Sequence, residues 1–284
     1  MTPVKPESVG FSSERLERLH ALIQGEIDAK QLAGAVTILA RHGKIVEYRV
    51  FGQRDTAASA AMTKDTIFRD YSMTKPVTGV AMMILYEQGK WQPADLISKY
   101  IPEFAHLKVF AGVDSSGKMI LAGPNHVPVM RELMSHTAGF TYGNGDTQAD
   151  KMYGDLKVRD SRSLQDMIDR LAQIPLIYQP GREWIYSLSV DVQGYVVEKL
   201  TGQSLPDFMR DHIFEPLGMK DAGFYVPRNK RDRFATSYHY DAKLDQLAAD
   251  PAGYTEQPTA PSGGGGMVST AEDYYRFEIG RAHV

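Results

Sequence analysis

The spacing of apolar positions divides the chain into a strand-rich beginning, a helix-rich middle and a turn-rich end. Leu16, Leu19, Leu22 and Ile23 follow Ser12-Ser13-Glu14, so a helix opens at this serine pair with those four side chains on one face. Residues 32–40 are strand-like, with Val36, Ile38 and Leu39. His42-Gly43 is a tight-turn pair, and residues 44–51 return as the second strand of a hairpin. Residues 56–68 are polar and read as a loop. Val77, Val80, Ala81, Ile84 and Leu85 then repeat at helical spacing, and Gly89 stops that helix. Residues 91–104, with Pro93 and Pro102, form a connector. Residues 107–127 hold short strand-like runs, and residues 129–136 form a short helix.

Residues 142–155 are glycine-rich and polar and read as a loop. Ser163 opens a helix carrying Leu164, Met167, Ile168 and Leu171, which stops before Pro175. A turn at Gln179-Pro180-Gly181-Arg182 delivers the aromatic segment Trp184-Ile185-Tyr186. Val190, Gly194, Val197 and Leu200 mark a strong helix ending at Thr201-Gly202, and residues 205–214 form another, stopped by Pro216 and Gly218. Residues 219–260 are short aromatic and polar segments of low helical content. The charge run Arg228-Asn229-Lys230-Arg231-Asp232-Arg233 reads as a solvated loop. Gly263-Gly264-Gly265-Gly266 lacks the lysine and spacing of a phosphate cradle, so it reads as close backbone packing or a ligand-facing loop. Ser269-Thr270-Ala271-Glu272 is a capping box that opens a last helix.

At 284 residues, 43% hydrophobic and 24% charged, the chain has ample material for a globular core. A net charge of −3 leaves no electrostatic footprint for nucleic acid. The absence of cysteine excludes disulfides, a thiol nucleophile and thiolate metal sites. The first residues show no apolar signal-peptide core, and the most apolar stretch, residues 32–40, is too short to span a bilayer. The expectation is a cytoplasmic protein with neither a membrane nor a nucleic-acid partner, and with no cofactor or metal; its oligomeric state is open.

The candidate chemistry lies at Ser72 and Lys75. A spacing of three places both on one face of a helix opening at Ser72, and a lysine amine held beside a hydroxyl can act as the base that makes serine a nucleophile. The helix N-terminus favours negative charge there, and Pro76 suits a first turn. A second copy of the spacing, Ser115 to Lys118, sits in a turn composition with no apolar helix after it. His136 is the rival base of a serine triad. The Gly-x-Ser-x-Gly elbow that accompanies such triads is absent and Lys75 already offers a base, so His136 reads as structural.

These motifs resemble the serine β-lactamase and penicillin-binding-protein superfamily, nearest to its class C-like branch and the family VIII carboxylesterases. The resemblance rests on Tyr-Ser-Met-Thr-Lys (71–75), Leu-Met-Ser-His-Thr-Ala-Gly-Phe (133–140), Pro-Gly-Arg-Glu-Trp-Ile-Tyr-Ser-Leu (180–188), Ile-Phe-Glu-Pro-Leu-Gly-Met-Lys-Asp-Ala-Gly-Phe (213–224) and Gly-Gly-Gly-Met-Val-Ser-Thr-Ala-Glu-Asp (264–273), in the family's order. It implies an α+β fold: an antiparallel sheet flanked by helices, from residues 1–68 and about 219–284, and a mostly helical lobe over 69–218, together one catalytic domain. It implies Ser72 as nucleophile, with its backbone N–H as one oxyanion donor, and Lys75 and Tyr186 as the proton-transfer groups. The family's second motif, a tyrosine, any residue and often asparagine, falls on Tyr186-Ser187-Leu188; Tyr142-Gly143-Asn144 fits it more literally but in surroundings that do not match, so Tyr142 is expected as a pocket residue, with Leu188, Gly264 and Gly265 as substrate-binding positions.

Two departures from the family pattern shape the functional expectation. Leu188 stands where relatives that act on β-lactams and peptides carry an amide-binding asparagine, which favours esters. No Lys-Thr-Gly, His-Thr-Gly or Trp-x-Gly follows Tyr186, so the strand that supplies a second oxyanion donor, and the helix after it, are expected to be missing; residues 278–284 do not resemble the family and read as a foreign tail. The expectation is a serine hydrolase acting through an acyl-enzyme on Ser72, with small-molecule short-chain carboxylic esters as substrates. The alternatives are a β-lactamase or D-alanyl-D-alanine carboxypeptidase, and a non-catalytic module or inactive fragment of the scaffold.

Overall fold

The computed structural model describes residues 2–281 of the chain, without the side chain of Arg281. Its regular elements run in the order α1 (Ser13–Asp28), β1 (Gly34–Arg41), β2 (Lys44–Asp55), β3 (Ala60–Ala61), β4 (Ile67–Arg69), α2 (Thr74–Glu87), β5 (Val109–Val113), β6 (Met119–Ala122), α3 (Met130–Met134), α4 (Gln148–Asp155), α5 (Leu164–Leu171), α6 (Ser189–Thr201), α7 (Leu205–Met209), α8 (Glu215–Leu217), β7 (Tyr238–Asp241), β8 (Gln246–Ala249), β9 (Val268–Thr270) and α9 (Ala271–Arg281). The ladders between these strands are antiparallel, and single parallel bridges join Ile67 to Phe234 and Val109 to Leu176. Helices and antiparallel sheets mix as the resemblance implied.

Two compact units arise from this order. The first gathers residues 1–70, 213–257 and 267–284; the second gathers 71–212 and 258–266. In the first, β1, β2 and β3 form a three-stranded sheet, with a bulge at Leu39 and Ala40, and β4 pairs with β9. His42 adopts φ +51° in the hairpin turn, as a turn residue should. Ile67, Val226 and Val268 form one buried cluster, and Val9, Leu16 and Val46 another.

The α1 face differs from the expected one. Leu16 is buried, but Leu19 and Leu22 are 40% and 62% exposed, and His20 is buried in their place. His20 Nε2 bonds Glu47, which is itself buried on β2. A buried carboxylate requires a polar partner, so the helix turns the Leu16–His20 stripe inward. The helical period holds, and the inward face is another one.

Other short elements lie inside expected loops. β3 lies within residues 56–68 and β4 begins there, because pairing with β2 and β9 rather than local composition makes them strands. In the loop expected over 142–155, Thr147 and Asp150 form a capping box and residues 148–155 are helical. The basic run at 228–233 is a short 3-10 helix, with Arg233 paired to Asp221 and Arg231 to Glu256. Of the tail at 278–284, the helix continues through Arg281, and residues 282–284 lie outside the described residues.

The second unit is mostly helical. α6 is its centre: residues 189–197 are all buried, and α6 packs against α2, α3, α5 and α7. Helix α2 buries Thr74, Val77, Thr78, Ala81, Met82 and Leu85. Residues 258–266 belong to this unit, and Gly263 rests on α2 and α6. A Cβ on Gly263 would stand 2.6 Å from the Val190 carbonyl oxygen and 3.3 Å from the Thr78 methyl, so only glycine allows the approach. Thr78 Oγ1 donates to the Gly263 carbonyl at 2.7 Å.

Candidate active site

The nucleophile candidate stands just before the helix expected to contain it. Residues Tyr71–Met73 form a 3-10 turn and α2 begins at Thr74, two residues later than Ser72. Tyr71 has φ +45°, a left-handed conformation that costs a side-chain-bearing residue roughly 1–3 kcal/mol. That bend leaves Ser72 exposed at the head of a helix whose opposite face is anchored in the unit's core. One turn on, Lys75 is half-buried and its Nζ donates to Ser72 Oγ at 3.1 Å and to the Gly264 carbonyl at 2.7 Å.

The tyrosine comes from the turn before α6. Gly181 takes φ +75°, and the segment after it is fixed to the loop that ends α3: Ile185 N–H donates to the His136 carbonyl at 3.0 Å, and Ser187 N–H donates to His136 Nδ1 at 3.2 Å. Ser187 and Ser189, both buried, share a 2.8 Å hydrogen bond. Tyr186, between these anchors, extends its hydroxyl to Ser72 Oγ at 2.6 Å. The Lys75 ammonium lies 4.4 Å from the centre of its ring.

His136 is therefore not the base of Ser72. Its Nδ1 accepts from the Ser187 backbone, and its ring packs against Tyr186 with centroids 5.2 Å apart. Burial, then the charge of Lys75, hold its pKa below the ordinary imidazole value, so it is neutral at neutral pH. Its role here is to hold the tyrosine segment.

The electrostatics favour a proton-accepting phenol. Burial acts to raise the Tyr186 pKa; hydrogen bonding to Lys75 and to Ser72, with the charge of Lys75, outweighs it and sets the phenol below its ordinary value. Tyr142, 5.4 Å from Tyr186 ring to ring, moves the other way: burial, then the charges of Asp191 and Tyr186, push its phenol up, beyond any role as a proton acceptor. The pKa values of the two neighbouring tyrosines are thus shifted in opposite directions. Tyr142 is held in place by its neighbour: Thr141 N–H donates to the Tyr153 hydroxyl at 3.1 Å and Thr141 Oγ1 to Asp150 at 3.2 Å.

Asp191 completes the site, and nothing in the spacing of the sequence motifs singles it out. It lies in the first turn of α6 and is 4% exposed. Ser262 Oγ and, at 3.1 Å, the Gly264 N–H donate to its Oδ1. Burial raises its pKa, while those two hydrogen bonds and the charge of Lys75 oppose the rise. The signal that could have found it is an acidic residue among the mostly small and apolar side chains that open the helix, three positions before Gly194. A carboxylate buried there needs donors from elsewhere in the chain, and the glycine run supplies them.

A cavity of about 470 Å³ opens at Ser72. Tyr71, Tyr142, Tyr186, Leu188, Ser262, Gly264 and Gly265 line it, together with the apolar Val158, Leu164 and Met167. The fold thus brings Ser72, Lys75, Tyr142, Tyr186, Leu188, Gly264 and Gly265 to one place. Gly264 and Gly265 line the cavity with backbone alone, and a Cβ on Gly264 would meet Asp191 at 2.5 Å. The other Ser-x-x-Lys copy lies in the turn between β5 and β6, where Ser116 is taken up by Asp114. Among the described residues no cluster of histidine and carboxylate groups could hold a metal ion, and no helix is long and apolar enough to cross a membrane.

A family model described as Beta-lactamase matches residues 19–283. Protein Rv1367c of Mycobacterium tuberculosis (strain ATCC 25618 / H37Rv) is 34% identical over 266 residues, covering 92% of this chain and 65% of that protein. The chain therefore spans slightly less than two thirds of the length of that curated relative. Esterase EstB of Burkholderia gladioli is 31% identical over 301 residues, covering 97% of this chain and 73% of the esterase. Among solved structures, EstCE1, described as a hydrolase with promiscuous acyltransferase activity, aligns with a TM-score of 0.77 at 29% identity, over 92% of this chain and 71% of that one.

Proposed function

Because the chain belongs to the Beta-lactamase family, we propose that it is a serine hydrolase that forms an acyl-enzyme on Ser72 and hydrolyses short-chain carboxylic esters. The observation that carries this reading is the pair of contacts to one hydroxyl: Ser72 Oγ lies 2.6 Å from the Tyr186 hydroxyl and 3.1 Å from Lys75 Nζ. Both distances are within reach of proton transfer.

In the acylation half, the Tyr186 oxygen, in its ionised form beside the Lys75 ammonium, takes the Ser72 proton. Ser72 Oγ bonds to the ester carbonyl carbon, and the carbonyl electron pair moves to oxygen. The Ser72 backbone N–H is a donor for that oxyanion. Collapse of the tetrahedral species breaks the bond to the alcohol oxygen, which receives the proton from Tyr186. Water then repeats the sequence: Tyr186 takes its proton, the hydroxyl attacks the acyl carbon, and Ser72 leaves with the proton returned. Lys75, 4.4 Å from the centre of the Tyr186 ring, favours the ionised phenol that acts as the base. Lys75 is held for this by the Gly264 carbonyl, and Gly264 by Asp191.

Substrate class follows from the wall. Leu188 is 6% exposed and lines the cavity with Val158, Leu164 and Met167. This apolar strip rewards a short acyl chain and offers an amide nitrogen lying against it no partner, at a cost of roughly 1–3 kcal/mol for a buried unpaired donor. Esters have no such donor.

Incubation with a fluorophosphonate probe followed by peptide mass spectrometry tests the reading. One adduct on Ser72, absent in Ser72→Ala, is the expected result. Labelling at another residue overturns it, as does fast nitrocefin turnover without turnover of 4-nitrophenyl butyrate.

A further inference from the structure

The cavity wall carries one cation that the proposed chemistry does not use. Arg159 stands in the 3-10 turn Val158–Asp160, after Lys157 at φ +50°, and lines the same cavity as Ser72. Its guanidinium is held in place: Nη2 donates to the Tyr142 carbonyl at 3.1 Å and to Asn144 Oδ1 at 3.3 Å, and the group lies 5.3 Å from the centre of the Tyr142 ring. All three partners are neutral. Among the described residues no carboxylate pairs with Arg159, and neither Nη1 nor Nε makes a hydrogen bond. The other charged side chain of the lining, Asp191, is buried and taken up by Ser262 and Gly264. The pocket therefore combines an apolar strip, Val158, Leu164, Met167 and Leu188, with an oriented and uncompensated cation.

On the reading of Ser72 as an ester-cleaving nucleophile, we propose that Arg159 selects esters whose acyl chain ends in a carboxylate, the half-esters of dicarboxylic acids. The methylenes of such a chain lie along the apolar strip while the ester carbonyl sits at Ser72. The terminal carboxylate takes the free guanidinium donors, for which Arg has the matching planar geometry. A purely structural Arg159, one that only ties down residues 142–144, would act on every ester alike. The two roles therefore differ in a ratio rather than in a rate.

The experiment compares the monoethyl esters of succinic, glutaric, adipic and pimelic acids with the ethyl esters of the matching monocarboxylic acids. The ratio of kcat/KM, half-ester over neutral ester, is taken for the wild type, Arg159→Gln and Arg159→Lys at pH 8, where the half-esters are ionised. For the best chain length the wild-type ratio exceeds one. Arg159→Gln lowers it about 10-fold, the scale of one exposed charge-assisted contact, through KM rather than kcat. Arg159→Lys, which keeps the charge and loses the planar donor set, falls between. A wild-type ratio below one at every length, or an Arg159→Gln ratio equal to the wild type's, overturns the proposal. Binding is measured separately by calorimetry with monoethyl adipate on Ser72→Ala protein, with and without Arg159→Gln. Binding that depends on Arg159, when the wild type hydrolyses no ester, sinks the hydrolase reading and leaves the anion site standing. Ester hydrolysis with binding indifferent to Arg159 does the reverse.

Discussion

Gly264 connects Asp191 to Lys75 through its two backbone groups: its N–H donates to Asp191 Oδ1 at 3.1 Å and its carbonyl accepts from Lys75 Nζ at 2.7 Å. A buried carboxylate thus positions the ammonium beside Ser72 through one residue with no side chain. Gly264→Ala places a Cβ 2.5 Å from Asp191 Oδ2 and must displace one of the two. The expected result is a loss of about 1–3 kcal/mol of stability, the usual range for overpacking, and a kcat at least about 10-fold lower as Lys75 loses its acceptor. Urea melts and ester kinetics read the two effects, and wild-type kcat in a folded Gly264→Ala protein would contradict the link.

Removing the phenol hydroxyl should stop chemistry without disturbing binding. Tyr186→Phe keeps the ring that packs on His136 and Trp184 and deletes the atom 2.6 Å from Ser72 Oγ. A general acid–base group contributes typically about 100- to 10,000-fold, so kcat falls by that range while KM stays within a few-fold. Tyr142→Phe, whose hydroxyl is pushed up and does not exchange protons, costs far less. Equal losses in the two variants would show that proton transfer does not belong to Tyr186 alone.

The rate should rise with pH and level off below about pH 10, the ordinary phenol value. In the proposed mechanism Tyr186 acts in its ionised form, and its pKa is set below the ordinary phenol by Lys75 and Ser72 against the opposing effect of burial. Below that pKa the phenol is protonated and the rate falls. Lys75→Met removes the ammonium, so burial is opposed by Ser72 alone and the ascending limb moves up, toward or beyond about pH 10. A pH profile of kcat/KM for wild type and Lys75→Met checks this; an unmoved limb would mean that another group titrates.

Much of this site is legible in the amino-acid sequence, and the reason is local. Ser72 and Lys75 lie in one turn, so their spacing alone fixes their proximity, and Gly181 and Trp184 mark the turn that delivers Tyr186. The α1 face and Asp191 are illegible there for one shared reason. Each is decided by a buried carboxylate whose partner lies far along the chain: Glu47 bonded to His20, and Asp191 bonded to Ser262 and Gly264. Hydrophobic periodicity records how often a helix turns inward, not which polar group its inward face must satisfy. β4 is hidden likewise, because its partner β9 lies some two hundred residues later.

Asp70, two residues before Ser72, makes stability depend on pH with the opposite sign to most carboxylates. It is buried just after β4, accepts from Ser269 Oγ at 2.8 Å, and its other oxygen has no partner among the described residues. Burial raises its pKa to about 7, the Ser269 bond opposes the rise, and the charge of Asp273 adds to it. An unfolded aspartate titrates near about 3.9. The folded state therefore binds the proton more tightly, and stability that is present below about pH 4 is lost as pH rises to about 7, by on the order of 2–4 kcal/mol. Asp70→Asn keeps an acceptor for Ser269 and cannot ionise. It is expected to be more stable than the wild type at pH 8, with the gap closing toward pH 4. Urea denaturation across that range measures the gap, and a gap that stays constant or widens toward low pH would show that Asp70 is charged in the folded state.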